Sequence, residues 1–153
     1  MKQRLNPSAL VPEGFAALLG VEKYLERCGL DHRLQLLVKT RVSQINGCAY
    51  CLHMHTADAR KAGETEVRLH LLDAWRESNL YTDRERAALA WAESLTHIAE
   101  THAPDAVYEE ARRHFSEKEL ADLSIVIAMI NAWNRLAIGV RALHPADLPK
   151  KAA

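Results

Sequence analysis

Apolar side chains recur along this chain at the 3.6-residue spacing of a helix, whereas the alternation of β-branched residues that a half-buried strand needs is nearly absent. That property restricts the chain to an all-α fold, and local chemistry places the helix ends. A first helix is predicted from about Glu13 to Arg27, ending near Gly29. Asp31 suits the N-cap of a second helix, in which Leu34, Leu37, Val38, Val42 and Ile45 form one apolar stripe. Asn46-Gly47 ends that helix just before Cys48; a third then runs to Gly63, and a fourth covers roughly Glu64 to Glu77. Thr82 with Glu85 and Ser116 with Glu119 are capping-box pairs. The first opens a helix through Ala87, Trp91, Leu95 and Ile98; the second opens one reaching about Val140, with a short helix between Pro104 and Phe115. The tail after His144, with two prolines and two lysines, is predicted to fray.

The last helix carries further information. Leu123 to Ile130 is apolar on almost every face, and Trp133, Leu136 and Ile138 continue the pattern. Such a helix is either central to its own bundle or covered by a second subunit, which leads to the expectation of a homo-oligomer. Asn131, Asn134 and Arg135 interrupt the run and argue against a membrane span.

The chain has 153 residues, enough for a single domain spanning 1–153 with a substantial core. Its 20 basic and 20 acidic residues cancel and are interspersed, so no strong field draws it to nucleic acid or an anionic membrane. The N-terminal segment lacks an apolar run of signal-peptide length, which predicts a cytoplasmic protein.

Three cysteines are present, and two of them form the pair Cys48-Ala-Tyr-Cys51. In a reducing compartment a close pair is more often catalytic, redox-sensing or metal-binding than structural. With Asn46-Gly47 closing one helix, both sulfurs fall at or near the N-terminus of the next, where unpaired N–H groups and the helix dipole stabilise a thiolate. His55 lies four residues beyond Cys51 on the same helical face, within reach to take the thiol proton and return one to a leaving group. Asp58, three residues further, is a candidate to orient the ring, against the alternative of a solvated carboxylate. His53 points about 200° away from Cys51 and reads as a surface or interface residue. Cys28 reads as a buried apolar filler, and His97 and His102 carry no assigned role.

Zinc is the competing reading, because Cys48, Cys51, His53 and His55 supply four ligand types. The helix separates the two histidines and no second Cys-x-x-Cys exists, so no metal is expected. A merely structural cysteine pair is the remaining alternative. Neither a GxGxxG run nor a P-loop is present, so no organic cofactor is expected, and the reactive groups are the chain's own sulfurs.

The run RVSQINGCAYC from Arg41 to Cys51, His55, the run TADARKAGETE from Thr56 to Glu66, and INAWNR from Ile130 to Arg135 together resemble the alkylhydroperoxidase D (AhpD)-like branch of the carboxymuconolactone decarboxylase family. With the helical reading between these runs, the resemblance covers nearly the whole chain. It implies an AhpD-like helical-bundle subunit, a trimeric or hexameric homo-oligomer, and peroxidase activity on organic hydroperoxides. It also assigns Cys51 as the attacking thiolate, Cys48 as the thiol that closes the disulfide, and His55 as the proton relay. The chain departs from the family pattern in two places. Leu36 stands where the family usually has a glutamate, and Tyr50 stands in place of an optional histidine between the cysteines.

The leading expectation is therefore an antioxidant thiol peroxidase cycling between dithiol and disulfide, restored by an external dithiol or redox-protein reductant. A second reading keeps the residues but makes the chain a general thiol-disulfide reductase or redox sensor with little peroxidase activity. The family's lactone decarboxylation is a third reading, and it does not call on a Cys-x-x-Cys pair. A zinc or assembly module is the fourth.

Overall fold

In a computed structural model, which describes residues 2–144 and 146, the chain is all-α, with no strand among the described residues. A single-turn helix α1 (Pro7–Leu10) and the longer α2 (Pro12–Leu25) lead to α3 (His32–Asn46) and α4 (Ala49–Lys61). Next come α5 (Glu66–Leu71) with a 3₁₀ turn over Leu72–Glu77, then α6 (Asp83–Thr96), α7 (Ile98–Thr101), α8 (Asp105–His114) and α9 (Glu117–Val140).

The predicted boundaries hold where a local cap defines them. Asp31 accepts the Leu34 N–H at 3.1 Å and opens α3. Both capping boxes form: Thr82 Oγ1 accepts from the Glu85 N–H at 3.2 Å, and Ser116 Oγ accepts from the Glu119 N–H at 3.2 Å. Elsewhere packing overrides pattern. The helix expected over Glu64 to Glu77 divides, with a kink at Ala74 (φ −109°, ψ 29°). The kink buries Trp75 beside Leu37, Leu72, Tyr81 and Leu89, and its indole N–H donates to Glu93 at 2.9 Å. The helix expected to pass through Ile98 stops at Thr96, and α7 follows as a separate turn.

Helix α9 packs against α2, α3, α4, α6 and α8. By length and composition it is apolar enough to cross a membrane, but Leu123, Val126, Ile127 and Ile130 are fully buried in the main hydrophobic cluster. The central-helix reading thus accounts for the inward face. Ile125 and Ile138 remain exposed on the outer one.

Candidate active site

The site is built where α3 hands the chain to α4. Gly47 adopts φ 67°, ψ 33°, a left-handed conformation that glycine reaches without steric cost. Its N–H bonds to Gln44 O at 3.2 Å and the Cys48 N–H to Ser43 O at 3.0 Å, the paired closure of a Schellman motif. Cys48 is thereby delivered as the N-cap of α4, with its sulfur accepting the Cys51 N–H at 3.3 Å. Cys48 and Cys51 are joined as a disulfide, with their Cα atoms 5.4 Å apart.

The turn is anchored from the far end of the chain. Asn46 Nδ2 donates to Asn131 Oδ1 at 3.0 Å and to Asn134 Oδ1 at 2.9 Å. Asn134, fully buried, returns a bond from Nδ2 to Ser43 Oγ at 3.2 Å, and Asn131 Nδ2 reaches Thr96 Oγ1 at 3.1 Å. Taken singly in the sequence, Asn131 and Asn134 had no role beyond interrupting an apolar run, and Asn46 none beyond ending a helix with Gly47. The available signal was the presence of both SQING and INAWN within one resemblance.

On α4 the buried residues are Cys51, His55 and Ala59, one inward stripe at four-residue intervals. His55 is 7% exposed, and its Nδ1 is buried without a hydrogen-bond partner among the described residues. Burial lowers its pKa to about 4; nearby Lys39 pushes in the same direction, and Glu22 and Asp58 oppose it. The imidazole is therefore neutral at physiological pH. In this oxidised form no hydrogen bond links it to either sulfur. Asp58 does not orient the ring; its carboxylate takes Lys61 Nζ at 2.9 Å. His53 is exposed and stacks on His144 at 5.3 Å between ring centroids. Cys28 is half-buried against the core, with its thiol 3.3 Å from Leu25 O. Among the described residues no group of three or more His, Cys, Asp or Glu is placed to hold a metal ion.

Two cavities adjoin the site. The first, about 270 Å³, is bordered by Cys51 but not Cys48 and is largely apolar, with Phe15, Met54, Trp133, Leu136 and Ala137 on its walls. The N-terminal segment closes one side of it, laced to the end of α9 by the Arg4 N–H on Val140 O at 2.8 Å. The second, about 420 Å³, is bordered by His55, Asp58, Leu36, Lys39 and Glu22. Phe15, Tyr50, Met54 and Trp133 border both. Leu36 also packs with Ala59 and Leu69, so an apolar contact occupies the position where a carboxylate was expected.

Residues 9–94 match the model of the carboxymuconolactone decarboxylase family. YdfG of Bacillus subtilis, itself uncharacterized, is 42% identical over 140 residues, covering 92% of this chain and 95% of that protein. A solved structure from Agrobacterium tumefaciens, a protein of unknown function described as a candidate antioxidant defence protein AhpD, superposes with a TM-score of 0.91. It is 45% identical, with 94% of this chain and 99% of that one covered. An AhpD-core, peroxidase-related protein from Ralstonia eutropha gives a TM-score of 0.79 at 21% identity, covering 94% and 80% of the two chains, and shares the fold.

Proposed function

The chain belongs to the carboxymuconolactone decarboxylase family and has an AhpD-like fold, and from this we propose that it reduces organic hydroperoxides through a Cys48–Cys51 dithiol–disulfide cycle. The observation that carries the reading is the asymmetry of the pair: Cys51 borders an apolar cavity, whereas Cys48 caps the helix beside it.

The Cys51 thiolate attacks the outer oxygen of the peroxide. The O–O bond breaks, the alkoxide leaves as the alcohol after protonation, and Cys51 becomes a sulfenic acid. The Cys48 thiol then attacks that sulfur, water leaves, and the disulfide forms. An external dithiol returns two electrons and two protons by exchange. His55, neutral when idle, takes the Cys51 thiol proton and supplies one to the departing oxygen. Lone thiols at a helix start are polarised toward the thiolate by the dipole, which assists the first step.

The alternative, a general thiol-disulfide reductase or redox sensor, uses the same two sulfurs. Cys48 is 1% and Cys51 2% exposed, so in either reading the small co-substrate, hydroperoxide or thiol reagent, reaches Cys51 by way of the cavity. Exposed Ile125 and Ile138 on α9 support assembly as a homo-oligomer, and we place the protein in the cytoplasm, where a dithiol reductant keeps the cycle running.

The test is oxidation of the reduced protein by cumene hydroperoxide, compared with oxidation by a small disulfide. Cys51→Ser abolishes peroxide consumption, whereas Cys48→Ser consumes one equivalent and accumulates a trappable sulfenic acid. A pair oxidised much faster by the disulfide than by the hydroperoxide would make it a reductase or sensor instead.

A further inference from the structure

The two sulfurs of the disulfide differ in what can reach them. Cys51 borders the first cavity, whereas Cys48 borders neither cavity beside the site. The turn that carries Cys48 is closed by its own N–H on Ser43 O at 3.0 Å and anchored by the Asn46 side chain on Asn131 and Asn134. Its sulfur is therefore held in the core at the start of α4. The cavities differ in charge as well. Gln3, Asn6, Ser8 and Tyr50 are polar groups on the wall of the first, and none of the residues bordering it is charged. The second has Glu22, Glu26, His32, Lys39 and Asp58 on its walls and borders neither sulfur. A fixed charge entering the first cavity sheds water and finds no partner of opposite sign, which is costly. A charge accommodated in the second stays apart from the disulfide.

We propose that the reductant of this pair is an uncharged thiol that enters the first cavity and attacks Cys51, with Cys48 as the leaving group. The S–S bond breaks, a new disulfide joins the reductant's sulfur to Cys51, and the proton given up by the reductant ends on Cys48. A second thiol of the reductant then attacks its own sulfur in that mixed disulfide. Cys51 is released as a thiol and the reductant leaves as a disulfide, so two electrons and two protons have passed to the protein. The N-cap position favours this order of events. Cys48 Sγ already accepts the Cys51 N–H at 3.3 Å, and a thiolate departing there meets the unpaired N–H groups and the positive end of the α4 dipole. A thiol stabilised in that way leaves faster. Cys51 is thus the point of entry in both halves of the cycle, and oxidant and reductant occupy one space in turn.

This inference rests on the dithiol–disulfide cycle proposed above and is tested without hydroperoxide. In a Cys28→Ser protein the oxidised pair is opened with 2-mercaptoethanol, quenched in acid, and the freed thiol is blocked with N-ethylmaleimide before tandem mass spectrometry. The expected product carries mercaptoethanol on Cys51 and maleimide on Cys48; equal or reversed labelling overturns the assignment. Single-cysteine proteins test the same route in reverse. With bis(2-hydroxyethyl) disulfide, Cys51 alone (Cys28→Ser, Cys48→Ser) is expected to react at least about tenfold faster than Cys48 alone (Cys28→Ser, Cys51→Ser), and the difference disappears in urea. Equal rates in the folded proteins also overturn it. Charge is tested on the parent with thiols of similar size. The anion 2-mercaptoethanesulfonate and the cation 2-mercaptoethylamine are expected to reduce the pair at least about tenfold more slowly than 2-mercaptoethanol, each rate divided by that on bis(2-hydroxyethyl) disulfide. A ratio near one for either overturns the route through the uncharged cavity. Hydroperoxide oxidation is measured in parallel: a parent inert to it fails the peroxidase reading, and the thiol experiments still decide where the reductant attacks.

Discussion

Asn46 and Asn134 lie 88 residues apart, yet their side chains meet at 2.9 Å directly beneath the turn that presents Cys48. Asn134 is fully buried, and its bonds to Asn46 and Ser43 tie the last turn of α3 to the C-terminal half of α9. Two segments that resembled one family separately are thus one structural unit, whose role is to hold the dithiol in position. Asn134→Ala removes two hydrogen bonds, leaves buried polar groups without partners and opens a small void, so stability falls by about 2–4 kcal/mol. Urea unfolding measures this; a loss below about 0.5 kcal/mol would show that the network contributes little.

Gly47 sits at φ 67°, and a Cβ on its Cα would meet nothing within 4 Å, so a side chain there encounters backbone strain and no clash. Gly47→Ala is expected to cost about 1–2 kcal/mol, and Gly47→Asn less, because asparagine tolerates the left-handed region. Chemical denaturation of the two variants beside the parent measures both costs. Equal values for the two would point to a steric cause instead.

His55 links stability to pH. Its folded pKa of about 4 lies below the ordinary 6.5, so between those values the unfolded chain binds the additional proton. Stability contributed by the neutral buried ring is complete above about pH 6.5 and is lost as pH falls toward 4, amounting in full to about 3 kcal/mol. Unfolding midpoints of the parent and His55→Leu, compared at about pH 7 and 4.5, should show the parent losing more on acidification. Equal losses in both proteins would place the imidazole in a more solvated setting.

Ala137 borders the cavity reached by Cys51. Ala137→Leu narrows that space and should slow oxidation by cumene hydroperoxide about tenfold while leaving hydrogen peroxide nearly unaffected. A parallel fall for both oxidants would mean that bulky substrates approach Cys51 by another route.

Helix ends were legible wherever the deciding contact lies within a few residues. Asp31 with Leu34, Thr82 with Glu85, and Ser116 with Glu119 are bonds between near neighbours, and sequence alone specifies them. The same holds for the stripe Cys51–His55–Ala59, which follows from the helical period. What the sequence could not decide was which distant groups face that stripe. Burial of Trp75 against Leu37 and Leu89 broke a helix that local propensity would have continued. Asp58, adjacent in sequence, turned to Lys61, while Glu22, 33 positions before His55, came to border its cavity. Caps and periodicity are local, so the sequence determined the helices and the dithiol; the surroundings of the imidazole depend on how α2, α3 and α9 pack around α4, and only the tertiary structure decided them.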